Sequence, residues 1–321
     1  MKKSLSSKIA ILCYHRVENY TCDPAKITVS NENFFKQIQY LKKFANIIHP
    51  DQFFDLLKNG KSLPKRSILI TFDDGYSSYK QTMKFLYDES VSAIFFISSN
   101  KERYWWDTLS SILLQNRSVN DKNFKIINSL ISYLGSHFEI ERNIDFESMN
   151  ALNNWKITDK NYPFNRNKAF YLIADKIEYV DYLEQKKILK IVSSLSNKKR
   201  NFSYLSNEKL INYHRIGFHT VNHLNLSKLG YEDQKKEIEL GKKNFESLIK
   251  RQIDIFAYPF GTKYHYNDET LKIVKNNFAF AFSNFYGLVH KKSNLFELPR
   301  FLVRDWSIDK FEMKINNFFN Y

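Results

Sequence analysis

Two aspartates stand side by side in Thr71-Phe72-Asp73-Asp74-Gly75, directly behind the apolar run Ser67–Phe72. Adjacent carboxylates repel each other unless a cation or a shared proton offsets the charge, and a divalent metal does this. Asp-Asp-Gly is also good turn chemistry, so the motif alone leaves both readings open. Gly217-Phe218-His219-Thr220-Val221-Asn222-His223 brings two histidines four residues apart. On one face of a helical turn they could share an ion, but with eight histidines in 321 residues such a pair can also arise by chance. The two signals together are stronger than either. Asp74, His219 and His223 make a mixed oxygen and nitrogen ligand set of the kind that holds catalytic zinc with positions left open. Asp73 is then free to act as a base, and a metal and a base sharing one water are what amide hydrolysis needs.

Two further segments could complete such a site. Phe256-Ala257-Tyr258-Pro259-Phe260-Gly261 ends a strand with proline and glycine, and such a loop can aim a backbone N–H at a developing oxyanion. By itself it is a turn signal. Cys13-Tyr14-His15-Arg16 follows the first apolar run. A lone histidine there is usually structural, but on the same rim as a metal site His15 becomes a candidate general acid.

These groups need a scaffold that presents strand ends on one side. The spacing predicts strands over 8–14, 67–72 and 93–97, with a helix following Ser30 (Phe34, Phe35, Ile38 and Leu41 on one face, capped by Ser30 or Asn31), a short helix over 51–57 and a helix over 76–89 with Tyr79, Met83 and Leu86 inward. The alternation resumes at Leu205: strands over 216–218, 254–257, 278–282 and 301–303, and helices over 231–250 (Ile238, Phe245, Leu248 and Ile249 inward), 268–276 and at the C-terminal end. Strand, polar loop, helix, strand is the pattern of a parallel α/β architecture and suits a barrel, whose active site lies at the C-terminal strand ends. Between the two halves the chain loses the alternation. We assign 1–103 and 201–321 to the barrel and 104–200 to a mostly helical insertion, with Trp105 and Trp106 near its start as sugar or interface contacts or as packing residues.

Composition sets the outer limits. The chain is 43% apolar and 16% aromatic and carries a net charge of +15. That charge suits an anionic partner or a solvated lysine-rich surface equally well. Lys186, Lys187, Lys190, Lys198, Lys199 and Arg200 form its densest cluster. Two cysteines make no disulfide framework. The apolar run after Lys2 and Lys3 is too short for a secretory segment, and nothing approaches a membrane span, so the expectation is a cytoplasmic protein.

Taken together, Thr71–Gly75, His219-Thr220-x-x-His223 and Tyr258–Gly261, in that order, resemble the polysaccharide deacetylases of the NodB-homology type, carbohydrate esterase family four. The resemblance covers roughly 8–100 and 205–305. It implies a distorted (β/α) barrel of seven strands, with Asp73 as general base, Asp74, His219 and His223 as metal ligands, and the Phe260 N–H at the oxyanion. It implies a divalent metal, zinc first, with cobalt, nickel or iron(II) as alternatives. Two groups of the commonest pattern are missing: the arginine that opens the third motif, where Phe256 and Ala257 stand, and the C-terminal Leu-x-His that carries the acid. One branch, similar to the poly-N-acetylglucosamine deacetylases, takes its acid from an N-terminal Tyr-His. Tyr14-His15 matches it, so His15 is assigned that role, with His290 as a weaker candidate. Arg300, in Leu298-Pro299-Arg300, could replace the absent arginine or form a structural ion pair. Tyr258 joins Trp105 and Trp106 as a candidate substrate contact. The implied substrate is an N-acetylated glycan or a lipid-linked sugar; the +15 charge and the expected cytoplasmic location would suit one reached at an anionic inner membrane face, and no nucleic acid is expected. The alternative is a barrel that binds glycan or polyanion without turnover.

Overall fold

The computed structural model describes residues 8–59, 64–159 and 161–319; Lys2 and Lys3 lie outside them. The chain divides into two compact units. One holds residues up to Asn19, Ile27–Asn100 and Asn201 onward, and the other Tyr20–Lys26 with Lys101–Arg200. Residues 20–26, which the sequence pattern leaves with the barrel, therefore group with the insertion. The Ile157 amide donates to the Pro24 carbonyl at 3.0 Å, which ties this short stretch in.

The strands are β1 (Ile9–Tyr14), β2 (Arg16–Val17), β3 (Thr28–Val29), β4 (Asn46–Ile47), β5 (Ser67–Phe72), β6 (Ile94–Ile97), β7 (Arg215–Phe218), β8 (Ile255–Ala257), β9 (Phe280–Phe282) and β10 (Phe301–Leu302). Seven of them form one parallel path, β10-β1-β5-β6-β7-β8-β9, with β4 added beside β5. β2 and β3 pair separately. This is the distorted barrel of βα units that the sequence predicts. Every residue of β1 and β5 is buried, as expected for parallel strands covered on both faces, and both read as apolar runs rather than alternations. One set of side chains, including Ile9, Ile11, Leu69, Phe96, Ile255 and Phe282, meets in a single apolar cluster. Among the described residues the path does not close strand to strand. Between its ends runs an irregular segment: Val289 exchanges hydrogen bonds with Ile9, and Leu298 bridges to Phe282.

The register fixes which residues share a rim. Tyr14 pairs with Phe72, Ile97 with Phe218, and Ala257 with Phe282. Because all these strands run the same way, residues 15, 73–74, 98–100, 219–223, 258–261 and 283 all leave the C-terminal edge together.

Two helical assignments need correction. Phe35 and Leu248, which the helical spacing puts inward, are 49% and 54% exposed. In Asn31–Phe44 the buried stripe runs through Phe34, Ile38 and Leu41, and in the helix ending at Ile249 it runs through Ile238, Gly241, Phe245 and Ile249. Phe35 and Leu248 each lie about 100° of helical turn from a stripe member, enough to leave the core face. Ser30 rather than Asn31 is the cap, its hydroxyl accepting from the Asn33 amide at 3.3 Å.

The second unit is helical, with Asp121–Tyr133, Asn165–Tyr179 and Tyr182–Ser194 as its longest elements. They close over an apolar core of its own, including Leu113, Ile127, Phe170 and Ile188.

Candidate active site

Asp73 and Asp74 leave β5 in different directions because the backbone turns between them. Asp74 has φ 84° and Gly75 φ 80°. Aspartate is among the few residues other than glycine that tolerate the left-handed region. The turn sends one carboxylate to a guanidinium and the other to two imidazoles.

Asp74 Oδ1 lies 3.5 Å from His219 Nε2 and 3.3 Å from His223 Nε2. All three residues are at least nine-tenths buried. The histidines do not meet on a helical turn, as their spacing suggests. They meet across a loop in which Thr220 (φ 62°) and His223 (φ 55°) are left-handed. His219 Nδ1 stands 2.7 Å from the Ala257 carbonyl, which can only accept. Nδ1 therefore carries the proton, and Nε2 faces Asp74 with its lone pair. Burial works against the charge on Asp74, but the two histidines beside it hold its carboxyl well below the usual carboxylate range. Burial also lowers the His223 pKa, favouring the neutral imidazole that a ligand must be.

The group fits a divalent ion. Ligand atoms about 2.1 Å from a tetrahedral centre stand about 3.4 Å apart, and the carboxylate-to-imidazole distances bracket that figure. The three candidate ligand atoms all lie within 4.8 Å of one another. One oxygen and two imidazole nitrogens suit zinc and its neighbours better than calcium or magnesium.

Asp73 faces the other way. Arg300 donates to it through both arms of its fork, Nη1 to Oδ1 at 2.7 Å and Nη2 to Oδ2 at 2.6 Å. The fork is itself fixed, since Nε donates to the Ser283 carbonyl at 2.7 Å and Nη1 also reaches Thr71 Oγ1 at 3.2 Å. Arg300 is 1% exposed. Burial alone would raise the Asp73 pKa, but the Arg300 charge overrides it and leaves the carboxyl below its ordinary value. Two other side chains lean on Asp73. The Cys13 thiol donates to Oδ2 at 3.5 Å, and the Tyr79 hydroxyl donates to the Asp73 carbonyl.

His15 follows β1 on the same rim. One of its ring nitrogens is within 4.8 Å of an Asp73 carboxylate oxygen and of the Cys13 sulfur. Its Nδ1 is buried with no hydrogen-bond partner among the described residues. Burial lowers its pKa, opposed by the charges of Asp74 and Asp73. Phe260 has φ 58° and Gly261 φ 68°. Gly261 also sits where a Cβ would come within 2.7 Å of the Asn284 amide nitrogen, so glycine is required on both counts. The Phe260 ring lies against His223 at 4.8 Å between centroids. Its amide enters no backbone hydrogen bond among the described residues.

The remaining sequence candidates fall elsewhere. Tyr258 is 1% exposed, stacks on Tyr266 at 4.2 Å and donates its hydroxyl to the Phe296 carbonyl, so it has no face to offer a substrate. His290 is exposed and adjoins Val289, which pairs with Ile9 at the N-terminal end of β1, the opposite edge from the site. Trp105 and Trp106 are packed against the core of the insertion, Trp106 stacked on Tyr104 at 4.1 Å. In the basic cluster, Lys187 pairs with Glu184, Lys199 with Glu102, and Arg200 covers the Tyr104 ring. No helix among the described residues is long and apolar enough to cross a membrane. Cys13 and Tyr79 touch Asp73, but the sequence shows them only as a cysteine beside His15 and as a helix face. Nothing local marks either of them as part of the site.

A family model for polysaccharide deacetylases matches residues 60–123 and 177–278, a little over half of the chain. A curated relative, YxkH of Bacillus subtilis (strain 168), bears the same family in its name. It is 32% identical over 89 residues, a stretch that spans 27% of this chain and 31% of that protein. Among solved structures, IcaB from Ammonifex degensii superposes with a TM-score of 0.56 at 15% identity, covering 97% of this chain and 96% of that one. The Streptococcus pyogenes deacetylase PplD, solved in complex with acetate, gives 0.54 at 16% identity, covering 97% and 99%. At these identities the superpositions speak to fold.

Proposed function

The chain belongs to the polysaccharide deacetylase family, and from that premise we propose that it hydrolyses the acetamide of an N-acetylated sugar, in a glycan or a lipid-linked saccharide, with a divalent metal, zinc first, as cofactor. The observation that carries this is the division of labour between neighbouring carboxylates: Asp74 turned to two imidazoles and Asp73 clasped by Arg300.

Asp74, His219 and His223 would hold the ion. When bound, it supplies Lewis acidity for the acetamide carbonyl and a lowered pKa for the attacking water. The protein's own groups do the rest. Asp73 is ionised at neutral pH and takes a proton from water as that water adds to the carbonyl carbon. Arg300 keeps the accepting oxygens in one orientation, so little reorganisation is left for the reaction. The left-handed turn at Phe260 presents a backbone N–H to the oxygen on which negative charge develops. His15 delivers a proton to the nitrogen as the C–N bond breaks, giving acetate and the free amino sugar. The near-complete burial of Asp73, Asp74, His219, His223 and Arg300 strengthens their electrostatic interactions.

The test is acetate release from N-acetylglucosamine oligomers by metal-loaded protein, with and without a chelator. Release that the chelator abolishes and added metal restores is the expected result. A protein that holds one metal per chain and releases no acetate from any N-acetylated sugar would count against turnover and for a glycan-binding barrel.

A further inference from the structure

The loop between the two histidine ligands is held by a buried carboxylate outside the site. Glu237 is 5% exposed. Its Oε2 accepts from the Val221 amide at 3.1 Å and the Asn222 amide at 2.8 Å, and its Oε1 accepts from the Asn222 side-chain amide. No lysine or arginine among the described residues forms an ion pair with it. A buried carboxylate without a cation is unfavourable unless it is well supplied with N–H donors, and every donor here comes from residues 221 and 222.

The same helix face makes a second fit to that loop. Gly241 lies four residues after Glu237, one turn along. A Cβ at Gly241 would come within 2.5 Å of Val221 Cγ2 and 3.0 Å of the Phe218 ring. Glu237 lies within a π-helical segment, Lys236–Leu240, that ends just before Gly241, an extra residue in the turn of a kind often found beside functional sites. Glu237 thus grips the loop amides while Gly241 makes room for the side chain between them.

The loop needs such support. Thr220 and His223 both occupy the left-handed region, at a cost of roughly 1–2 kcal/mol each. On its other side the loop is tied by Ser99 to the Thr220 carbonyl and Asn100 to the Val221 carbonyl, at 3.1 and 3.0 Å. Those bonds use the carbonyls, and Glu237 uses the amides of the same short stretch.

We infer that Glu237 is a positioning residue of the Asp74–His219–His223 centre, holding the two imidazoles at the separation a single ion requires. The inference rests on the metal reading of that centre. It is tested by titrating zinc and cobalt(II) into the full chain against a chromophoric chelator, for the wild type, Glu237→Gln and Glu237→Ala, with thermal unfolding of each metal-free protein alongside. Glutamine keeps the shape but sets an N–H₂ group against that of Asn222. Affinity is expected to fall about 10- to 100-fold, more for alanine than for glutamine, with an altered cobalt(II) absorption spectrum. Should alanine not fold, the isosteric glutamine decides. A lowered metal-free melting temperature with unchanged metal affinity would reduce Glu237 to a structural role and overturn the inference. A wild-type chain that binds neither ion would instead overturn the metal reading, and the inference with it.

Discussion

Each unit of the molecule holds one arginine that is no more than 1% exposed among the described residues, and the two serve different ends. Arg300 in the barrel is 1% exposed and Arg166 in the insertion 0%. Arg300 spends its fork on a carboxylate, with one carbonyl and one hydroxyl completing the shell. Arg166 meets four main-chain carbonyls: Glu141 at 2.7 Å, Asn116 at 2.6 Å, Arg117 at 3.0 Å and Arg142 at 2.7 Å. Arg166 clamps the irregular segments 116–117 and 141–142 to each other, which is architecture. Arg300 orients a single carboxylate and favours its ionised form, as the proposed base requires. What distinguishes the two is the group at the end of the fork, since burial and hydrogen-bond supply are alike.

The largest expected effect follows removal of the acid itself. Asp73→Asn should lower kcat/KM by about 10²- to 10⁴-fold, the usual contribution of a general base, while one metal per chain is retained. Acetate release and metal analysis on the same sample check this, and near-normal turnover would remove Asp73 from its role. Next come paired substitutions at the two arginines. Lysine keeps the charge but loses the fork. Arg300→Lys should reduce kcat/KM by about 10- to 100-fold, because the base loses its orientation. Arg166→Lys should cost about 2–4 kcal/mol in urea unfolding, through carbonyls left unpaired, and leave the kinetic constants of the folded fraction unchanged. Matching kinetic losses from both would break the distinction.

A smaller effect sharpens the same contrast among the histidines. His214 precedes β7 at the edge opposite the site. Its Nε2 lies 2.9 Å from the Met83 carbonyl, and its Nδ1 accepts from the Ala93 amide at 3.3 Å. A proton on Nδ1 would face that N–H, and burial lowers the pKa from 6.5 to about 4. The folded state therefore refuses a proton that the unfolded chain accepts. The stabilisation is full above about pH 6.5 and is lost as pH falls toward 4. Between pH 7 and pH 5 this amounts to about 2 kcal/mol. Urea unfolding of the wild type against His214→Gln at the two pH values should show the extra loss only in the wild type. An equal pH dependence in both would assign the acid sensitivity elsewhere.

Much of the barrel was legible because its signals are local. The runs Ile9–Tyr14 and Ser67–Phe72 read as buried strands because parallel strands covered on both faces need no alternation. Asp73 and Asp74 stood out because two charges at a strand end call for a reason. The insertion was legible as helical from its period, but the attachment of residues 20–26 to it was not, since a single turn of loop carries no periodicity. The errors were geometric. The histidine spacing fitted a helix, but the loop reaches the same convergence through two left-handed residues. Tyr258 was chosen for its type, and the fold turned its hydroxyl to Phe296.

By itself, the sequence determined the candidate ligand types, their order and the strand ends that carry them, because each is written within a few adjacent residues. Only the tertiary structure decided which partner each group would meet. Arg300 reaches Asp73 across 227 positions, Cys13 across 60, and Glu237 reaches the histidine loop from the helix beyond it. Those contacts depend on sheet register and on how a helix seats over a loop. Both are set by the packing of the whole barrel, and neither leaves a period or a motif in the chain.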